Sequence, residues 1–127
     1  MILHSIELNN WKQHASSRVT LDSNANVIYG PNETGKSTIL EALSRGFFDR
    51  SSTNADAIKR IRPLTASGNV TSTVSIEFTI GETRFRVEKN FNLKKGTWLY
   101  RVSEHKNTLL SQDADADEQL IQLLDAS

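Results

Sequence analysis

Apolar residues recur at two different periods along this chain, and the change of period marks out its elements. Ile2, Ile6 and Leu8 sit among polar neighbours on one parity, which predicts a strand starting almost at Met1. Asn9 to His14 reads as a loop, and Arg18 to Leu21, with Val19 and Leu21 on one face, as a second strand. Asp22-Ser23-Asn24 is turn chemistry leading into Asn26-Val27-Ile28-Tyr29, a short β-branched and aromatic run that predicts a third strand. The period then becomes helical. Ile39, Leu40, Leu43 and Phe47 fall on one face of a helix predicted from about Lys36 to Phe48, and Glu41 and Arg45 are spaced for an ion pair on another side.

Arg50 to Asn69 is polar and contains Pro63 and Gly68, so it predicts a long connection with one helical turn near Ala57-Ile58. Alternation returns with Val74, Ile76, Phe78 and Ile80. Gly81-Glu82 places Gly first, as a two-residue type II′ hairpin prefers. Phe85 and Val87 continue towards Phe91, and Trp98, Tyr100 and Val102 alternate again, which completes an antiparallel β meander over 74–102. A last helix is predicted to open at Asp115, with Glu118 three residues on as an acidic capping box and Leu120, Ile121, Leu123 and Leu124 as its apolar stripe.

The junction between the Asn26–Tyr29 strand and the first helix carries the chemistry. Residues 30 to 38 read Gly-Pro-Asn-Glu-Thr-Gly-Lys-Ser-Thr and satisfy the phosphate-loop pattern G-x-x-x-x-G-K-[ST]. Gly30 and Gly35 lack a Cβ, so the backbone there can curl with its N–H groups turned inward to an anion. Lys36 can bring a compact positive charge to the β- and γ-phosphates. The Ser37 hydroxyl is placed for Mg²⁺ and Thr38 for the α-phosphate, while the helix N-terminus aims its positive dipole end at the same anion. Strand, loop and helix agree on a site for nucleotide phosphates with Mg²⁺.

Composition adds limits. The chain has 127 residues, enough for one domain with a core, and an ordinary apolar fraction of 37%. Formal net charge is zero, so overall charge points to no nucleic-acid partner and leaves only local patches to consider. The absence of cysteine excludes disulfides and Cys-ligated zinc or iron–sulfur sites, and fits a cytoplasmic location. No segment has the basic-then-apolar form of a signal peptide or the length of a membrane span, so no membrane partner is expected.

The order of these parts resembles the N-terminal lobe of the SMC (structural maintenance of chromosomes) family and its DNA-repair relatives of the SbcC and RecF types. The likeness is carried by Leu8-Asn9-Asn10-Trp11-Lys12 ahead of the loop and by Ile28 to Leu43, where the loop runs into Thr38-Ile39-Leu40-Glu41-Ala42-Leu43. It covers residues 1 to about 110, with 113–127 as the start of a helix leading toward a coiled coil. The resemblance implies an α/β fold: a P-loop NTPase N-terminal lobe, its mixed sheet and β meander packed around one main helix. It also implies an ABC-type ATPase head that is completed by a C-terminal lobe of the same ATPase and dimerises with a second head on ATP. DNA, and a nuclease subunit, are the implied macromolecular partners, with a nucleoid-associated location. Carried over by residue, Lys36, Ser37 and Thr38 bind phosphates and Mg²⁺, Asn32 and Gly35 shape the loop, and Lys12 matches a basic residue that approaches the nucleotide. Glu33 departs from the family, many of whose members have Gly there; an acid beside phosphate is unfavourable unless it turns to solvent.

Four further parts of that family are absent from the sequence: a Q-loop glutamine, an LSGGQ-like signature, a Walker B acid pair and a switch histidine. Leu109-Leu110-Ser111-Gln112 lacks the signature glycines, and Leu120 to Asp125 reads as helix rather than Walker B. No catalytic set is therefore complete in this chain, which is expected to bind ATP without hydrolysing it alone. Asp113, Asp115 and Asp117 lack the Gly and Glu of a calcium loop and fit a solvated helix N-terminus. Lys59, Arg60 and Arg62 form a small basic cluster, weighed between DNA phosphate contact and a solvated loop, with the solvated loop favoured because three charges are few. Two other functions stand beside the ATPase reading. A small P-loop kinase or GTPase is one, although no Asn-Lys-x-Asp guanine motif is present; a nucleotide-binding scaffold without enzymatic activity is the other.

Overall fold

The protein is described by a computed structural model covering residues 1–12, 14–20, 33–53, 56–61 and 70–126, with backbone alone at 14–16, 33–37 and 56–57. In chain order the elements are β1 (Ile2–Trp11), β2 (His14–Thr20), α1 (Glu33–Phe48), α2 (Asp56–Lys59), β3 (Ser72–Ile80), β4 (Thr83–Phe91), β5 (Gly96–Val102), β6 (Asn107–Gln112) and α3 (Asp113–Asp125). The six strands form one sheet in the order β2-β1-β3-β4-β5-β6, and every pairing among them is antiparallel.

Register explains how the alternating residues become a core. Ile6 pairs with Ile76, Ile76 with Val87 and Val87 with Leu99, so four apolar side chains form a row across β1, β3, β4 and β5. All four are buried, and each such side chain contributes about 1.5–3 kcal/mol by leaving water. α1 seats Ile39, Ala42 and Phe47 in the same cluster, and α3 adds Ala116 and Leu120. Phe47 meets Phe78 edge-on at 5.3 Å, and Phe78 stacks on Phe85 at 5.6 Å, which ties α1 to the β3–β4 hairpin. Gly46 brings the α1 backbone so close to the sheet that a Cβ there would lie 2.7 Å from Ile76 Cδ1.

The meander over 74–102 is present as the sequence predicts. Ile80 pairs with Thr83, and Gly81 takes φ +63° at the first turn position, as the two-residue hairpin requires. The helical turn near Ala57-Ile58 is α2. The strand expected at 26–29, and Leu21 of the second strand, lie outside the described residues.

Several expectations are corrected. Asn9 to His14 is not a loop: β1 runs to Trp11 and β2 starts at His14, leaving a tight turn with Lys12 at φ 52°. The polar Asn pair misleads because neighbouring backbone takes it up. Ser72 Oγ donates to Asn10 O at 2.9 Å, Asn10 Nδ2 donates to Thr71 O at 3.3 Å, and Trp11 packs edge-on against Phe91 at 5.8 Å. α1 begins at Glu33 rather than about Lys36. α3 begins at Asp113, not Asp115; Gln112 holds the N-cap position with extended backbone and no side-chain cap bond, so the Asp115–Glu118 capping box does not form. β6 was not expected: it is an edge strand paired, among the described residues, with β5 alone, mostly exposed, and shows no alternation. α1 is also not the one main helix, since α3 packs on β5 and β6 and meets α1. The sheet expected to be mixed is antiparallel throughout among the described residues.

Candidate functional site

α1 presents part of the loop pattern at its own start. Gly35 lies in its first turn, where backbone N–H groups have no partner within the helix and the dipole favours an anion, and Lys36 and Ser37 follow directly. Glu33 is the first residue of α1, a position where a carboxylate is favoured rather than opposed by the helix. Thr38 is buried at 4% exposure, next to buried Ile39. Gly30 and Asn32 lie outside the described residues. The seat of this helix is firm: Ile39, Ala42, Gly46 and Phe47 face the sheet while Leu40, Ser44 and Phe48 face solvent.

Lys12 is brought to α1 by the β1–β2 turn. Its backbone N–H donates to Ile61 O at 2.6 Å, and its Nζ donates to Glu41 Oε2 at 2.7 Å. Glu41 stands one helical turn beyond Ser37, so Lys12 reaches the flank of the loop helix. Glu41 Oε1 also lies 4.0 Å from Arg45, which in turn donates to Asp49 Oδ2 at 2.8 Å, giving a ladder along the half-exposed side of α1. The expected Glu41–Arg45 pair is thus present, though at the outer limit of an ion pair, and Lys12 is the closer partner.

Lys59 and Arg60 are exposed at the end of α2, flanked by Ile58 and Ile61, which are buried. Asn92 Nδ2 donates to Ile58 O at 3.1 Å and anchors this turn to the end of β4. Arg62 lies outside the described residues.

The face of the sheet away from the helices carries a charge network. Arg86 Nε donates to Glu88 Oε1 at 2.9 Å and its other nitrogens reach Glu7 at 3.4 Å and Glu77 at 3.5 Å, while Arg84 donates to Glu77 Oε2 at 2.6 Å. Burial alone would raise Glu77, but the hydrogen bond and charge of Arg84, with Arg86 and Arg18, outweigh it and hold that carboxyl below its ordinary value. These arginines are already matched by carboxylates, which leaves this face poorly suited to bind phosphate.

Sequence reasoning missed a second polar cluster on the helix side. Lys89 is 1% exposed, with Nζ donating to Asp49 O at 2.6 Å and lying 3.4 Å from Asp117 Oδ1. Burial lowers the Lys89 pKa, partly offset by Asp117. The signal was available: Lys89 stands in phase with Phe85, Val87 and Phe91 on the inward row of β4. Asp117 is likewise buried on α3, so the aspartates there are not all a solvated helix start. Among the described residues no group of acids and histidines is arranged to hold a metal.

The family comparison decides what this arrangement belongs to. The AAA domain family matches residues 5–125. The chain belongs to the AAA domain family. Among its relatives, the DNA double-strand break repair Rad50 ATPase of Sulfolobus acidocaldarius is 30% identical over 98% of this chain and 14% of its own length. The Rad50 ATPase of Methanocaldococcus jannaschii is 29% identical over 87% of the chain and 11% of its own length. The DNA replication and repair protein RecF of Salinibacter ruber is 42% identical over 43 residues, or 34% of the chain. The expected kinship with the SMC, SbcC and RecF group therefore holds, and the chain spans about a seventh or less of those Rad50 relatives. Leu109 to Gln112 is edge strand β6 and Leu120 to Asp125 is helix α3, so neither supplies a signature loop or a Walker B acid pair.

Proposed function

We propose that this chain is the ATP-binding N-terminal part of a DNA-repair or chromosome-maintenance ATPase of the Rad50, SbcC and RecF kind. The observation that carries the reading is the Gly30–Thr38 pattern running into a helix seated on an antiparallel sheet, inside an AAA domain match with Rad50 relatives along nearly the whole chain. The donor set fits Mg²⁺-ATP: two loop glycines, one ammonium, two hydroxyls and a helix N-terminus. Lys36 holds the β- and γ-phosphates, Ser37 offers the metal its hydroxyl, and Thr38, Asn32 and Gly35 shape the cradle. Lys12, held against α1 through Glu41, sits on the flank of that helix and approaches the bound nucleotide. The implied strand at 26–29 completes a P-loop lobe with a mixed sheet over the single domain 1–127.

The magnesium ion, once bound, supplies charge neutralisation of the phosphates. What this chain adds is binding and orientation. Hydrolysis requires a second lobe of the same ATPase and two heads closing across ATP. α3 leads toward a coiled coil, DNA and a nuclease subunit are partners of the assembled protein, and its place is the cytoplasm at the nucleoid. Nothing in the family match or the relatives favours a kinase or GTPase.

Calorimetry with Mg²⁺-ATP tests the site. Lys36→Ala removes charge-assisted hydrogen bonds worth roughly 1.5–3 kcal/mol each, so its affinity should fall at least tenfold. Equal affinity in the two proteins would mean that Lys36 does not hold the phosphates.

A further inference from the structure

One inward row of this sheet buries a charge. Leu8, Val74, Lys89 and Thr97 lie directly opposite one another across β1, β3, β4 and β5, so the row turns polar halfway. At its polar end five groups converge. Lys89 Nζ donates to Asp49 O, just past the last residue of α1, at 2.6 Å. It also faces Asp117 Oδ1 on α3 at 3.4 Å. The Thr97 hydroxyl donates to the same Asp117 oxygen at 2.8 Å and lies 3.0 Å from Ser51 Oγ. The Thr97 backbone N–H donates to Asp113 Oδ1 at 3.3 Å, so two acids one turn apart on α3 grip one residue of β5. Lys89, Thr97, Asp117 and Ser51 are all buried.

Stability alone is a poor reason for such a cluster, because apolar residues of similar volume in place of a buried ion pair are often neutral or stabilising. What the pair does supply is selectivity of position. The Lys89 ammonium is satisfied only while the end of α1 and the second turn of α3 hold their present places together. Moving either helix alone would leave a buried charge unmatched, which is strongly unfavourable. The ammonium also sits at the negative dipole end of α1, the helix whose other end begins at the phosphate loop.

We propose that Lys89, Asp117 and Thr97 form a polar lock that makes α1 and α3 shift and open as one body. This hypothesis goes beyond nucleotide binding and does not depend on it. Native-state hydrogen exchange on the 127-residue chain tests it. The expected result is that amides in the last turn of α1 and the first two turns of α3 open with one free energy and one denaturant slope. In a Lys89→Met, Asp117→Leu double variant, α3 should exchange roughly tenfold or more faster than α1, the two groups having separated. Separate openings in the unaltered chain would overturn the lock, and so would joint opening in the double variant. Should the double variant not fold, Thr97→Val removes only the hydroxyl that seats Asp117 and should still split the two groups by a few-fold. Coincident exchange in Thr97→Val would then overturn the proposal.

Discussion

Glu77 shows how a single side chain on the open face is held by its neighbours. Its carboxylate takes a hydrogen bond from Arg84 at 2.6 Å and the charge of Arg86 at 3.5 Å, and its folded pKa lies below the ordinary value for an acid. A depressed carboxylate contributes stability that is fully present above the unfolded-state pKa and is lost as pH falls through the folded one. Glu77→Gln should therefore flatten the loss of Tm on acidification below the ordinary Glu range, with little change near pH 7 in the slope of Tm against pH. Melting curves from pH 7 down to about pH 3 check this, and an unchanged acid limb would remove Glu77 from the account. At this scale the sequence was legible wherever side chains alternate by polarity. It was not legible at Lys89, Asp117 and Trp11, because partners distant in sequence decide their burial: Asp49 O for Lys89, Thr97 for Asp117, Phe91 for Trp11.

Elements with a strong period were recovered, and those held by their neighbours were not. β3, β4 and α1 announce themselves through Val74-to-Ile80 and Phe85-to-Phe91 alternation and the Ile39, Leu40, Leu43, Phe47 stripe, of which Leu40 proves exposed. β6 has no such pattern because an edge strand with both faces largely exposed needs none. The start of α3 was misplaced by two residues, since Asp113, at φ 56°, turns its carboxylate to the Thr97 N–H instead of leaving Asp115 to cap. The phosphate-loop site was legible as a motif, while the seat of Lys12 depended on a turn that polar sequence disguised as a loop. Lys59 ends α2 and Arg60 follows it. If Lys59, Arg60 and Arg62 contact DNA phosphates, replacing all three with Ala should lower the slope of log affinity against log salt by up to about 0.9 per lost contact, nearly three in all. Fluorescence anisotropy with duplex DNA over a salt series measures it. An unchanged slope would assign these residues to a solvated turn.

Taken whole, the sequence carries a phosphate-loop pattern at 30–38 and no signature or Walker B motif. Phosphoryl transfer depends on positioning the attacking water and stabilising developing charge, and among the described residues no group of three or more acids and histidines is placed to hold a metal. The isolated chain should bind Mg²⁺-ATP and release phosphate no faster than its Lys36→Ala variant. Robust turnover that disappears with Lys36→Ala would overturn the split-head reading and return the small-enzyme alternative to consideration. The chain spans 14% and 11% of the length of the two Rad50 relatives.

The two tryptophans divide the molecule optically. Trp11 is 0% exposed, its Nε1 has no hydrogen-bond partner among the described residues, and it precedes the lysine that grips α1 through Glu41. Trp98 lies half-buried on the opposite face, its indole laid so closely over Gly96 that a Cβ there would come within 2.5 Å of the ring. A dry indole emits to the blue of a half-wetted one, so in a Trp98→Phe variant the remaining emission should be blue-shifted and shielded from iodide. Because Trp11 is coupled through a single turn to the helix that starts at the phosphate loop, that emission should change when Mg²⁺-ATP is added. In a Trp11→Phe variant the remaining Trp98 signal should stay constant, which gives the site a built-in reporter and its own reference in one chain. A nucleotide response carried by Trp98 instead would show that the far face of the sheet, rather than the β1–β2 turn, feels the ligand.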